Sequence, residues 1–274
     1  MTSQTSATDQ PAPSHSIDAH IELLREKVFE TRSRYPHFEL LLEDMVQLSR
    51  ALPANSRVAM FERTQLYGGF SLIAPIFAGH RVISIDLSPA SADVRGAYNR
   101  SMVDDPRFIQ VPSTQRSSLL DSGLDDTSQD LIIIPNLIHH VADQDGLFAE
   151  VARKVAPGGL AYAFEPLVRE LHQAPDDFLR YTPYGLERIF RQHGLEPEAT
   201  RTEGGPFQAV AYCWMQAVQY FPDDQRAEME RWLREEEFPR LMDFDRQHLT
   251  NHVRKHTTFP MSFSVTARKA ATAA

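Results

Sequence analysis

The chain has 274 residues, and its 37 acidic against 28 basic side chains leave a net charge of −9 that disfavours binding along a nucleic-acid duplex. Its single cysteine, Cys213, excludes an internal disulfide framework or a cysteine-based zinc site, and reads as a small buried hydrophobe between Tyr212 and Trp214. No apolar run approaches the roughly 20 residues of a membrane span, and the opening "MTSQTSATDQPAPSHS" lacks the basic and apolar regions of a secretory signal, so a cytoplasmic protein without membrane partners is expected.

Residues 1–16, rich in Ser, Thr, Gln and Pro, are expected to form a disordered tail. Over 17–34, Ile21, Leu24, Val28 and Phe29 recur at helical spacing. After Pro36, a second stripe follows with Phe38, Leu41, Leu42, Met45, Val46, Leu48 and Leu52, so 17–53 are expected as two lid helices before a domain spanning 54–274. The rhythm then changes. "RVAMFE" (57–62), "HRVISIDLS" (80–88), "RFIQVP" (107–112), "DLIIIPN" (130–136) and "GLAYAFEP" (159–166) are near-continuous apolar runs of strand length, the pattern of a parallel sheet covered on both faces. Helical segments over 70–78, 90–99 and 144–155 separate them, the last stopped by "APGG" (156–159). A helix over 182–193 ending at Gly194, a strand over 195–202, a mostly helical insertion over about 212–256 and a final strand over 260–269 complete the chain. Alternating strand and helix predicts a doubly wound α/β fold.

Open α/β sheets bind ligands beyond the carboxyl ends of their strands. Glu62 closes the first strand and Asp86, in "VISIDLSP", the second; Asn136, in "DLIIIPNLIHHV", closes the fourth. Asp86 can accept hydrogen bonds from two ribose hydroxyls, or it can cap a helix started by Ser88 and Pro89. Together, "SIDLSP", "DLIIIPNLIHHVADQDGLFAEVARKVAPGGLAYAFEP" and "DDFLRYTPYGLERIFRQHGLEP" resemble the class I S-adenosylmethionine-dependent methyltransferases over about 55–203 and the final strand.

The resemblance implies a seven-stranded, mostly parallel Rossmann-like sheet with an antiparallel last strand. It also implies S-adenosylmethionine as cofactor and methyl transfer to a small-molecule acceptor. The family's first motif is an acid followed by three glycines at alternate positions. Here Glu62 supplies the acid, while Thr64 and Leu66 stand at the first two glycine positions. Gly68, or Gly69 if one residue is inserted, takes the third; the inserted reading lets "GGFSLIAPIF" open its helix at the usual place. Bulky Leu66 and Tyr67 are expected to push loop 63–67 outward or over the cofactor. Ser113 and Thr114 stand where an acid commonly meets the adenine. The implied cofactor contacts are Glu62, Thr64, Gly68, Gly69, Asp86, Leu87, Ser113 and Asn136.

"EPLVRELHQAPDDFLRYTPYGL" (165–186) is similar to methyltransferase-like proteins of sugar and polysaccharide biosynthesis, through a His-x-x-Pro-x-Asp-aromatic-x-Arg-aromatic-Thr-Pro pattern. His172, Pro175, Asp177, Phe178, Arg180, Tyr181, Thr182 and Pro183 match it. The resemblance implies O-methylation of a sugar or related intermediate. His172 would be the base, Asp177 would orient the site and Arg180 would bind an anionic or polar substrate group. The competing structural reading makes Thr182–Pro183 a helix N-cap pair and Asp177–Arg180 an ion pair locking the loop. His140, Glu165 and Tyr181 are expected on the substrate side, with one of His139 and His140 packed and one lining the pocket. No metal site is expected, because adjacent histidines project differently and no His-x3-His spacing supports one. The run 223–238 reads as a solvated helix face with Trp232 and Leu233 inward. The alternative functions are a non-catalytic methyltransferase-like binding or regulatory partner, or an enzyme with an altered cofactor site; homodimerisation is left open.

Overall fold

The computed structural model describes residues 16–31, 38–62, 73–86, 115–116, 119–251 and 259–271. Two helices, α1 (Ile17–Thr31) and α2 (Glu39–Ala51), precede β1 (Arg57–Glu62) and β2 (Arg81–Asp86). A two-residue β3 (Gln115–Arg116), β4 (Gln129–Pro135), α3 (Gln144–Lys154) and β5 (Val155–Pro166) come next. The remainder is α4 (Pro183–Gln192), β6 (Leu195–Glu203), α5 (Pro206–Val218), α6 (Asp223–Trp232), α7 (Phe238–Asn251) and β7 (Ser262–Lys269). No helix among the described residues is long and apolar enough to cross a membrane.

Six full strands and the short β3 make one sheet in the order β3-β2-β1-β4-β5-β7-β6. The pairs from β3 through β5 are parallel, and β7 lies antiparallel between β5 and β6. The chain runs outward from β1 to β3, then restarts at β4 on the other side of β1. That reversal sets the switch point at the carboxyl ends of β1 and β4, the usual ligand position in such sheets.

Alternation along the strands explains why their apolar runs are continuous. Val58, Met60, Leu131, Ile133, Tyr162 and Phe164 face α1 and α2, where they meet Leu41, Met45 and Val46. Ala59, Phe61, Ile132, Ile134, Ala161 and Ala163 face the other way, against Phe148 and Val151 of α3 and Leu186 and Phe190 of α4. A strand covered on both sides has no polar face to display. The helices expected as a lid thus supply one covering layer of the sheet. A polar seam holds α2 there: buried Asp44 accepts hydrogen bonds from Tyr162 Oη (2.9 Å), Ser264 Oγ (2.6 Å) and the Arg201 guanidinium.

Several expectations change at their edges. The β5 ladder begins at Val155, paired with Gln129, and shifts register before Leu131 meets Leu160. The Gly pair therefore lies within the strand at an irregularity, where Gly158 has φ +78°. The C-terminal helices start at Pro206 rather than near 212, because α7 caps them from a distance: Asp245 accepts from the Phe207 N–H (3.0 Å) and the Gln208 N–H (2.6 Å). Cys213 is exposed, since the buried side chains of α5 are Ala209, Ala211, Tyr212 and Val218. The expected strand at 107–112 and helix at 90–99 lie outside the described residues, as do 1–15.

Glu203, at the end of β6, accepts from the Glu39 N–H (3.1 Å) at the start of α2 and from Ser262 Oγ (3.0 Å). Burial raises its pKa to about 7, and Glu39 adds to the rise. The folded chain therefore keeps a proton that the unfolded chain releases near 4.5, so this group's contribution to stability declines as pH climbs from about 4.5 to about 7. Glu203→Gln, which keeps both polar contacts, is expected to match the parent in urea unfolding at pH 4.5 and to exceed it at pH 8 by on the order of 2–3 kcal/mol. Equal differences at both pH values would contradict this assignment.

Candidate functional site

In the β1–β2 register Glu62 pairs directly with Asp86, so the two acidic positions close adjacent strands at the same level. Beyond β4 the chain turns at Asn136, whose φ is +53°. Its N–H donates to the Phe164 carbonyl (2.7 Å), and its Oδ1 is buried with no partner among the described residues. The other expected cofactor contacts, Thr64, Gly68, Gly69, Leu87 and Ser113, lie outside the described residues, as does loop 63–67.

The end of β5 organises the turn that leaves β4. Glu165 is fully buried. Its Oε1 accepts from the N–H groups of Leu137 (2.9 Å) and Ile138 (2.7 Å), while Oε2 lies 2.6 Å from His139 Nδ1. The expectation that Glu165 binds substrate is corrected: its carboxylate is committed to backbone and imidazole, because these buried amides need an acceptor. It shapes a 3₁₀ turn, Ile138–His140, that buries both histidines rather than one, at 0% and 6% exposure. Their ring centroids are 4.0 Å apart.

The segment between β5 and α4 brings a third imidazole. His172 has its ring centroid 5.3 Å from that of His139 and 4.8 Å from that of His140. The segment is held by the Phe178 N–H donating to the His139 carbonyl (2.8 Å) and by His140 Nδ1 donating to the Asp176 carbonyl (2.5 Å). Asp177 accepts from the His172 N–H (3.0 Å) and from Arg180 Nη2 (2.9 Å). Although burial works in the opposite direction, Arg180 and the His172 amide hold the Asp177 carboxyl far below the usual range. The second Arg180 nitrogen reaches Asp177 and the Leu179 carbonyl, and Nη2 also reaches the Glu170 carbonyl. The guanidinium expected to receive substrate is therefore engaged within its own loop. Tyr181 is half-buried against the core, and burial together with Glu165 raises its pKa. Thr182 caps α4, accepting from the Gly185 N–H (3.1 Å), with Pro183 in the first turn.

His172 lies with Nδ1 3.1 Å from the Glu170 carbonyl and 3.3 Å from Asp177. Burial lowers its pKa, and Arg169 lowers it further, so the ring is neutral near neutral pH. Spacing along the sequence argues against the three histidines meeting. The 3₁₀ turn and the crossing segment nevertheless bring one ring nitrogen of each within 4.8 Å of the other two. A cleft of about 1000 Å³ between α1 and α2, lined by Glu22, Arg25, Glu39 and Glu43, carries none of the expected site residues.

A family profile described as a methyltransferase domain matches residues 68–163. Among solved structures, a protein assigned as a methyltransferase from Bacillus halodurans is similar at 14% identity and TM-score 0.50, over 84% of this chain and 98% of that one. A chain in the complex of the Trm112 methyltransferase activator with its assigned methyltransferase, from Haloferax volcanii, is similar at 16% identity and TM-score 0.50, over 94% and 100%. The [4+2]-cyclase SpnF is similar at 14% identity and TM-score 0.50, over 86% and 83%. These likenesses establish the fold, which by itself leaves the chemistry open. A search of curated protein sequences found no significant match.

Glu165→Ala would leave two buried amides and His139 Nδ1 unpaired, and is expected to lower unfolding free energy by about 3 kcal/mol or more. Glu165→Gln keeps an acceptor for the amides but turns an N–H toward His139 Nδ1. The expected response is a shift of the imidazole proton to Nε2 at a stability loss of about 1 kcal/mol. Urea unfolding and ¹⁵N chemical shifts of the imidazole test this; an unchanged tautomer in Glu165→Gln would refute the assigned contact.

Proposed function

We propose that the chain, which matches a methyltransferase-domain profile over residues 68–163 and has the strand order of that fold, binds S-adenosylmethionine at the ends of β1, β2 and β4 and methylates a small molecule. The favoured acceptor atom is a hydroxyl oxygen of a sugar or related biosynthetic intermediate, ahead of a nitrogen. The observation that carries this reading is the level pairing of Glu62 with Asp86 beside the switch point. Asp86 is the residue to accept from ribose hydroxyls, and Glu62 the one to accept from the cofactor's amine. The buried, unpartnered Oδ1 of Asn136 offers a third acceptor at the next strand end. Thr64, Gly68, Gly69, Leu87 and Ser113 complete the proposed contacts. When bound, the cofactor supplies a methyl group on a sulfonium, so positioning carries most of the catalysis.

The acceptor side falls to the imidazole cluster. His172 hydrogen-bonds through Nδ1 to a carbonyl, which only accepts, so its neutral ring keeps the proton there and the lone pair at Nε2. That nitrogen is the one able to take a hydroxyl proton. Asp177 and Arg180 act as positioning residues, through the His172 amide and the Glu170 carbonyl. With Arg180 already paired, an uncharged polar acceptor suits the site better than an anionic one. His140 and Tyr181 are proposed to flank it.

Isothermal titration with S-adenosylhomocysteine tests the cofactor side. Asp86→Ala is expected to weaken binding by about 10- to 150-fold, the ~1.5–3 kcal/mol of hydrogen bonds to a charged group, without changing the melting temperature. No measurable binding to the parent chain at millimolar concentration counts against the whole reading.

A further inference from the structure

We propose that His139, His140 and His172 form a binding site for a divalent transition-metal ion, with zinc the best fit. One ring nitrogen of each lies within 4.8 Å of the others, and the three come from two separate elements, the turn after β4 and the segment after β5. Their hydrogen bonds set the tautomers. Each Nδ1 faces an atom that only accepts: Glu165 Oε2 at 2.6 Å, the Asp176 carbonyl at 2.5 Å and the Glu170 carbonyl at 3.1 Å. In its neutral form each ring would carry its proton on Nδ1 and its lone pair on Nε2. Three imidazoles with ring nitrogens this close, each oriented by an accepting oxygen at Nδ1, form a candidate donor set.

A second observation points the same way. His139 is fully buried, yet its Nε2 has no hydrogen-bond partner among the described residues. A buried orphan of this kind is destabilising, and an ion would remove that cost. The Glu165–His139 contact is also the outer-sphere arrangement found at metal sites, in which a carboxylate receives the far N–H, orients the ring and raises its basicity.

All-nitrogen coordination suits zinc, cobalt or nickel and disfavours magnesium and calcium, which take oxygen. Three protein donors leave a fourth position, the pattern of catalytic rather than structural zinc. At metal–nitrogen distances of about 2.0–2.1 Å, tetrahedral ligands lie roughly 3.3 Å apart, so binding draws the cluster inward. The site stands on its own geometry; its chemical use rests on the methyl-transfer reading. An acceptor hydroxyl in the open position would release its proton to solvent water more readily, so the loaded cluster would act as a Lewis acid, whereas in the empty one the His172 lone pair takes that proton.

The test uses the full, untagged chain, stripped with chelator and then titrated separately with zinc, cobalt and magnesium. Expected are one zinc per chain by elemental analysis, a visible absorption band of low-coordinate cobalt, and no retention of magnesium. His172→Ala and the double variant His139→Ala/His172→Ala should each lose stoichiometric zinc and the cobalt band, with circular dichroism reporting whether they remain folded. Failure of the parent chain to retain zinc or produce the cobalt band overturns the proposal without needing any variant. Undiminished retention in a folded double variant overturns it equally. Titration of the stripped chain with S-adenosylhomocysteine separates this question from the cofactor reading, since loss of one binding event leaves the other measurable.

Discussion

A buried carboxylate at the end of β5 is the contact on which the site depends. Glu165 has no access to water, and its two oxygens are shared between the first amides of the next-door turn and the imidazole of His139. A buried carboxyl group is tolerated only when its acceptor capacity is filled. Filling it ties the end of β5 to the residues just past β4, across two neighbouring central strands. The turn bends where it does because its amides must reach Glu165, and both histidines are carried inward with it. The same interaction thus sets the backbone path and the imidazole tautomer.

The segment from β5 to α4 depends on that turn. The His139 carbonyl receives the Phe178 N–H, and His140 reaches the Asp176 carbonyl. Asp177 and Arg180 close the segment on itself, and Glu170 supplies carbonyl contacts to both His172 and Arg180. Outer support comes from α5, where Tyr212 Oη hydrogen-bonds Glu170. Helix α5 is anchored in turn by Asp245 of α7 at its first amides. The C-terminal helices therefore brace the loop that carries His172, which links a distant helical packing to the arrangement of the imidazoles. Precision in such a site comes from these supporting contacts, because a loop alone would not hold a ring within catalytic tolerance.

On the opposite face, α2 is held by a different kind of polar seam. Asp44 joins Tyr162 of β5, Ser264 of β7 and Arg201 of β6, while Glu203 meets the first amide of α2. These contacts fasten the helix over the antiparallel end of the sheet, away from the switch point. The division is physical: the β6–β7 side is closed by charge and hydrogen bonding, while the switch point lies further along the strand order, between β1 and β4.

Local pattern was enough to determine the class of fold. Apolar runs such as "DLIIIPN" admit only a strand with both faces covered, because Leu131 and Ile133 must be buried on one face and Ile132 and Ile134 on the other. Thr182 with Pro183 likewise marked the start of α4, since a cap is a contact between near neighbours in sequence. Asp86 and Glu62 could be placed at strand ends, though only the parallel register put them level. The roles of Glu165, Arg180 and the adjacent histidines were beyond such reading. Glu165 lies 26 residues from His139, in contact only because β4 and β5 are neighbours. Arg180 resembles a substrate-binding cation until its loop folds back on Asp177. His139 and His140 diverge in an extended chain and converge in a 3₁₀ turn, where His172 joins them. Sequence determines which groups are present and which local elements they enter; whether a polar group is open to a ligand or already paired depends on what the fold sets beside it.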